Sequence, residues 1–262
     1  MGKQTGIITF KGKVGNVVGA RDSKGDLTIK AYQPEVKQNN TEGQIIARVK
    51  FLTMTALAKG LRNGLFGLSN YAAQQKLTTT NAFQRLNKLM VDCYPPDPTA
   101  NPPRKDYEGH VDFIQLRIAK GSLVAPIATH PLAQKNIQWE MGRVTIDVSF
   151  TANDQRPEGE ETRLVTLVAY NKNSNITAVS APASYRDGDV FIRDLSWEAG
   201  DNVYVWLVVQ DFKDTETMGR YLSYWNNGTP TAEAKASFEA LQRGAEYANS
   251  HLVGSASIPD EG

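Results

Sequence analysis

Val144-Thr145-Ile146-Asp147-Val148-Ser149-Phe150 alternates apolar and polar residues without a break. That is the period-2 pattern of a half-buried strand. Two other stretches, 164–170 (Leu-Val-Thr-Leu-Val-Ala-Tyr) and 203–209 (Val-Tyr-Val-Trp-Leu-Val-Val), are more continuously apolar, as central strands are. Strand signals at 111–118, 143–151, 162–170, 175–180, 189–195, 202–211 and 218–225 make about seven short strands at sandwich-like spacing. Arg186-Asp187-Gly188-Asp189 and Glu198-Ala199-Gly200-Asp201 supply turns between them. The spacing predicts an immunoglobulin-like β-sandwich over residues 107–228, with Trp139 and Trp206 anchoring its core.

Upstream, short apolar runs alternate with glycines and lysines. Ile7, Ile8 and Phe10 predict one strand, Val14, Val17 and Val18 a second, and Leu27, Ile29 and Ala31 a third. Asp22-Ser23-Lys24-Gly25-Asp26 has hairpin-turn chemistry. Gly12, Gly15 and Gly19 fall among strand residues, where glycine marks a bulge or the close approach of another backbone. A three-stranded element this small needs a partner surface, so these three glycines are candidate interface residues. Gly12-Lys13-Val14-Gly15 has the G-x-x-G form of a KH-domain loop, but that loop joins helices and here β runs flank it.

A polar connector at 34–40 leads to Thr41-Glu42-Gly43-Gln44, the spacing of a capping box. Ile45, Val49, Leu52 and Ala56 then mark one face of a helix ending near Gly60 or Gly64. A further helix capped by Thr80 or Asn81 would carry Phe83, Leu86, Met90 and Cys93 on its apolar side, with Cys93 a small buried hydrophobe. Five of the chain's 12 prolines lie within residues 94–103, which predicts a linker and a domain boundary at 95–106. At the far end, Thr229-Pro230 reads as an N-cap with proline at N1. Ala234, Phe238, Leu241, Ala245 and Ala248 follow with the 3-4 spacing of a helix seam, and residues 255–262 read as a loose tail. This seam, Phe238 and Leu241 above all, is expected to dock on a neighbouring subunit.

The predicted class is therefore α+β. An N-terminal β-hairpin or three-stranded element with helices occupies 1–94 and a linker 95–106. The sandwich follows over 107–228, and a C-terminal helix and tail over 229–262.

Composition adds a charge asymmetry. The 262 residues carry a net +1, yet residues 1–95 hold fourteen Lys and Arg against five Asp and Glu, a net +9, which leaves −8 for the rest. Such a basic half can contact nucleic acid. The lysines are scattered rather than bunched, which favours protein contacts between opposite-signed parts. One cysteine, Cys93, excludes an internal disulfide. No apolar signal core opens the chain and no run approaches a membrane span, so the expectation is synthesis in the cytoplasm and no membrane partner.

Chemistry is sparse. His110, His130 and His251 lack metal-site spacing, and no P-loop, dinucleotide fingerprint or nucleophile elbow is present. The Glu158, Glu160 and Glu161 cluster reads as a solvated loop. No enzyme, cofactor or metal is expected. Tyr221, Tyr224 and Trp225 could stack on sugar rings, although packing is their commoner use.

Several blocks in order resemble a domain of unknown function found in Bacteroidetes bacteria and their phages. They are Gly12-Lys13-Val14-Gly15-Asn16-Val17-Val18-Gly19; Thr41-Glu42-Gly43-Gln44 followed by Arg48 and Phe51; Asn81-Ala82-Phe83; Lys120-Gly121-Ser122-Leu123; Val168-Ala169-Tyr170-Asn171; and Gly200-Asp201 before a β run. The resemblance spans about residues 6–225 and brings no catalytic motif. It implies a virion structural protein made in the host cytoplasm, a capsid, capsid-decoration or tail component. Its partners would be copies of itself and other virion proteins. A carbohydrate- or surface-binding sandwich, and a nucleic-acid-contacting protein using the basic half, are the alternatives.

Overall fold

A computed structural model describes residues 2–3, 12–14, 17–21, 27–31, 41–124, 127–128, 132, 136–140, 142–152, 156–157, 159–186 and 188–259. The fold is mixed α+β, with helices and several antiparallel sheets. It divides into two compact units, residues 1–45 and 46–262.

In the first unit, β1 (Gly2–Lys3), β2 (Gly12–Val14), β3 (Val17–Arg21) and β4 (Leu27–Ala31) form an antiparallel sheet in the order β1-β4-β3-β2. β3 and β4 pair antiparallel, Arg21 with Leu27 and Val17 with Ala31, while the turn read at 22–26 lies outside the described residues. The single strand predicted over 14–18 is instead divided, because Val14 on β2 and Val17 on β3 are partners in an antiparallel pair. The strand read at Ile7 to Phe10 lies outside the described residues.

The second unit is built on two strands, β10 (Arg163–Asn171) and β14 (Asn202–Asp211), paired antiparallel from Arg163–Asp211 to Asn171–Val203. Their near-continuous apolarity follows from burial on both faces. Val165, Leu167, Ala169, Val203, Val205, Leu207 and Val209 point into one core. Leu164, Val168, Tyr170, Trp206 and Val208 point into a second. Alternate residues of one strand thus serve two cores, which a period-2 backbone permits.

The first of these cores lies against an opposing sheet. There β9 (Arg143–Thr151) runs between β13 (Asp189–Leu195) and β8 (Ile137–Glu140), and β7 (Ile127–Ala128) pairs with its far end. Here the alternating stretch behaves as read: Val144, Ile146, Val148 and Phe150 are buried while Asp147 and Ser149 face out. The β10–β14 sheet is extended by β11 (Ile176–Val179) on one side and β16 (His251–Ser257) on the other, with β12 (Ala183–Ser184) and β15 (Glu246–Tyr247) as short additions. Trp206 is fully buried, while Trp139 only packs half-buried at the edge of the core.

The second core is closed by helices. α1 (Glu42–Gly60), a 3₁₀ helix (Arg62–Leu68), α2 (Ser69–Gln74) and α3 (Thr79–Asn87) place Met54, Leu57, Leu61, Leu65, Leu68 and Phe83 against the helix-facing side of β10 and β14. Two predicted boundaries change. The cap of α3 is Thr78, whose hydroxyl accepts from the Asn81 amide at 3.2 Å, not Thr80 or Asn81. The helix ends at Asn87, so Cys93 sits half-buried on β5 (Val91–Tyr94) instead of on a helix face.

The proline run is not a linker between domains. β5 pairs with β6 (Glu108–Val111), so residues 95–107 form the tip of a β-hairpin. Asp97 and Arg104 exchange backbone hydrogen bonds of 2.8 Å each across it, and the Asn101–Pro102 peptide is cis. Val91 before the run and Phe113 after it belong to the same core. The boundary expected at 95–106 therefore falls inside one compact unit, and the helices of 46–87 share their core with the sheet.

The C-terminal region also differs. Residues 218–225, read as a strand, lie in α4 (Thr215–Asn227), capped by the Asp214 carboxylate 2.7 Å from the Thr217 amide. α5 (Ala232–Gly244) is capped by Thr231, two residues beyond the expected Thr229. The chain then returns to the sheet. β16 pairs with β14 from Asn202–Ser257 to Leu207–His251, so residues 255–257 are strand and not tail. The sheet is incomplete at Trp225, and the two helices are an excursion between neighbouring strands.

Candidate interaction site

α1 begins as its sequence dictates. The Thr41 amide donates to Gln44 Oε1 at 3.2 Å, and the Gln44 amide to Thr41 Oγ1 at 3.4 Å, a reciprocal capping box. The helix nevertheless carries two apolar stripes. Met54, Leu57, Ala58 and Leu61 are buried in the core beneath it. The stripe read from sequence, Val49, Leu52 and Ala56 with Ile45 before it, lies on the other side: Leu52 is two residues before Met54, roughly 200° around the axis. Leu52 is 58% exposed and Phe51 61%.

A hydrophobic stripe turned to water is informative where a lone exposed apolar residue is not. Beside this one, a cavity of about 330 Å³ opens between Thr53, Ala56 and Leu57 of α1 and the side chains of His110, Phe113 and Tyr170. Asn175, at φ +56°, closes its end. Its side chain accepts from the Tyr170 hydroxyl at 2.9 Å and donates to the Ala56 carbonyl at 3.4 Å. Burial, together with the neighbouring Tyr204, pushes Tyr170 up to about 12. It stays a neutral phenol, a hydrogen-bonding wall and no base. His110 packs its ring 5.4 Å from Tyr94 and stands opposite Asp92 in the β5–β6 register. The site can bury apolar surface.

A second open apolar patch lies across the same unit's surface chemistry. Leu89 is 77% and Ile114 81% exposed, next to a cleft of about 420 Å³ bordered by Leu86, Met90 and Leu252. Among the described residues no three His, Cys, Asp or Glu side chains gather as a metal site.

The residues singled out from sequence fall in both units. Gly12 on β2 lies opposite Gly19 on β3, which is buried, while Gly15 is outside the described residues. Phe238 and Leu241 pack on their own fold. The Phe238 ring lies 5.0 Å from Tyr221, 6.3 Å from Tyr224 and 6.4 Å from Trp225, and Leu241 joins the same core. α5 thus docks within its own chain, and the seam proposed for a neighbour is used internally. The same contacts occupy Tyr221, Tyr224 and Trp225, so they form no open platform for sugar rings. The face with Ile45, Val49, Leu52 and Ala56 was legible as an apolar stripe, without Phe51; what the sequence concealed is that a different stripe of the same helix is the buried one.

Compared with family models, curated proteins and solved structures, the chain matches none.

Proposed function

We propose that this chain is a structural protein of a phage particle, a capsid, capsid-decoration or tail component that acts by protein contacts and carries no catalytic step. The observation that carries the reading is the open stripe on α1, with Leu52 and Phe51 more than half exposed on a helix whose other face is fully engaged. Its occupant is a second copy of the chain. The net +9 of residues 1–95 against −8 in the remainder gives neighbouring copies complementary surfaces. The first unit adds to this: a sheet within 45 residues buries too little apolar surface to stand alone. The resemblance to a family of Bacteroidetes bacteria and their phages supports a virion location after synthesis in the host cytoplasm. Among the described residues no helix is long and apolar enough to cross a membrane.

An immunoglobulin-like identity for the sandwich is part of the proposal. β8-β9-β13 opposite β11-β10-β14-β16 is the order expected of strands A-B-E facing C′-C-F-G. The helical excursion then stands in place of the loop between the last two strands. Mass spectrometry of purified particles encoding this chain tests the reading. Recovery of the chain at the abundance of known particle proteins supports it, and its absence from intact particles overturns it.

A further inference from the structure

A cleft of about 630 Å³ in the second unit lies between the 3₁₀ helix, α2, the start of α3 and α5. Its volume is that of a small-molecule site. Arg62, the first residue of the 3₁₀ helix, and Arg243, in the last turn of α5, both line it. Neither guanidinium has an ion-pair partner among the described residues, and neither does Glu239 on the same rim. Two arginines that line one cleft from separate elements suit a carboxylate, which a planar guanidinium grips with two parallel hydrogen bonds.

The rest of the lining narrows the class. Thr78 and Thr79 bring the N-terminal end of α3 to the cleft, adding partial positive charge. Asn63, Ser69 and Gln242 supply amide and hydroxyl groups that both donate and accept. Glu239 would repel a polyanion such as a nucleic acid or polyphosphate, but its carboxylate accepts hydrogen bonds from hydroxyl groups. Phe66, Ala72 and Leu77 give the cleft an apolar part suited to the C–H face of a sugar ring. We infer that this cleft binds a monoanionic sugar, a uronic-acid or sialic-acid type residue, with the carboxylate between Arg62 and Arg243 and the ring hydroxyls on Glu239, Asn63 and Gln242. This site is separate from the α1 stripe and does not rest on the assembly reading.

Titration of the full chain with glucuronate and with N-acetylneuraminate, followed by calorimetry or ligand-observed NMR, tests it, with glucose and inorganic phosphate as comparison probes. At least one of the two acidic sugars should bind saturably, and more tightly than glucose by roughly tenfold. The double variant R62Q/R243Q should lose that binding by a similar factor while melting at the wild-type temperature, since both side chains are exposed. Glu239→Gln should weaken acidic-sugar binding. Failure of both sugars to bind overturns the inference. So does phosphate binding as tightly as the sugars, or a tighter sugar complex in Glu239→Gln; each would reduce the cleft to a plain anion site.

Discussion

A methyl group on Gly121 would stand 1.7 Å from the Tyr247 carbonyl oxygen, in backbone that cannot turn aside. Here the 120–123 segment crosses β15: the Leu123 amide donates to that same carbonyl at 3.1 Å, and Lys120 lies over the Tyr71 ring at 4.6 Å. Gly121→Ala should therefore lower stability by about 1–3 kcal/mol, the cost of overpacking, and an unchanged melting temperature would show that the crossing is loose. Lys120-Gly121-Ser122-Leu123 was recognisable in sequence only as a motif; its reason is this backbone contact, 126 positions away in the chain. The buried Glu161–Arg163 pair, 2.7 Å apart, sets an acid limit. Burial alone would push the Glu161 carboxyl up, but hydrogen bonds from the Arg163 side chain and backbone, with its charge, hold it below its ordinary 4.5. A carboxyl depressed in the folded state stabilises above its unfolded value, and that contribution drains away as pH falls through the folded value. Denaturant midpoints should thus fall as pH drops below about 4.5, and less steeply in Glu161→Gln. Parallel curves for the two proteins would remove the pair from the account.

Strand signals survived folding where one pattern meant one environment. Residues 143–151, 163–171, 189–195 and 202–211 were read closely because their alternation, or lack of it, reports burial of one face or two. Helix faces were harder. α1 has apolar residues on both sides, and periodicity cannot say which side meets the core. α4 was read as a strand because Tyr221, Leu222, Tyr224 and Trp225 have strand-like composition, while the Asp214 cap that starts a helix there was passed over. β16 was missed because His251 to Ser257 is rich in small residues, and its strand state comes from pairing with β14. That pairing decides the outcome of truncation. Removing everything after Asn227 deletes α5 and an edge strand along Asn202 to Leu207, so the product should fail to fold and not persist as a stable monomer. Circular dichroism with a cooperative thermal transition in the truncated chain would contradict this.

For the whole molecule, the candidate site was half legible: the apolar stripe of α1 stood in the sequence, whereas its exposure depends on contacts 100 and more residues away, from Tyr170 and Trp206 across the core. The proline run misled for a similar reason, since composition alone does not distinguish a linker from a hairpin tip. A protease cut within 95–107 should leave two fragments that co-elute without denaturant, because Val91 and Phe113 on either side share one core. Fragments that separate freely would restore the linker. The central claim is assembly through the open face of α1, and sedimentation velocity tests it most directly on the full chain and on Leu52→Lys. Leu52 is 58% exposed and contributes little to its own core, so the variant should melt at the wild-type temperature. The account predicts an oligomer for the wild-type chain and a monomer for Leu52→Lys; a wild-type monomer at every concentration, or an oligomer untouched by the lysine, would contradict it.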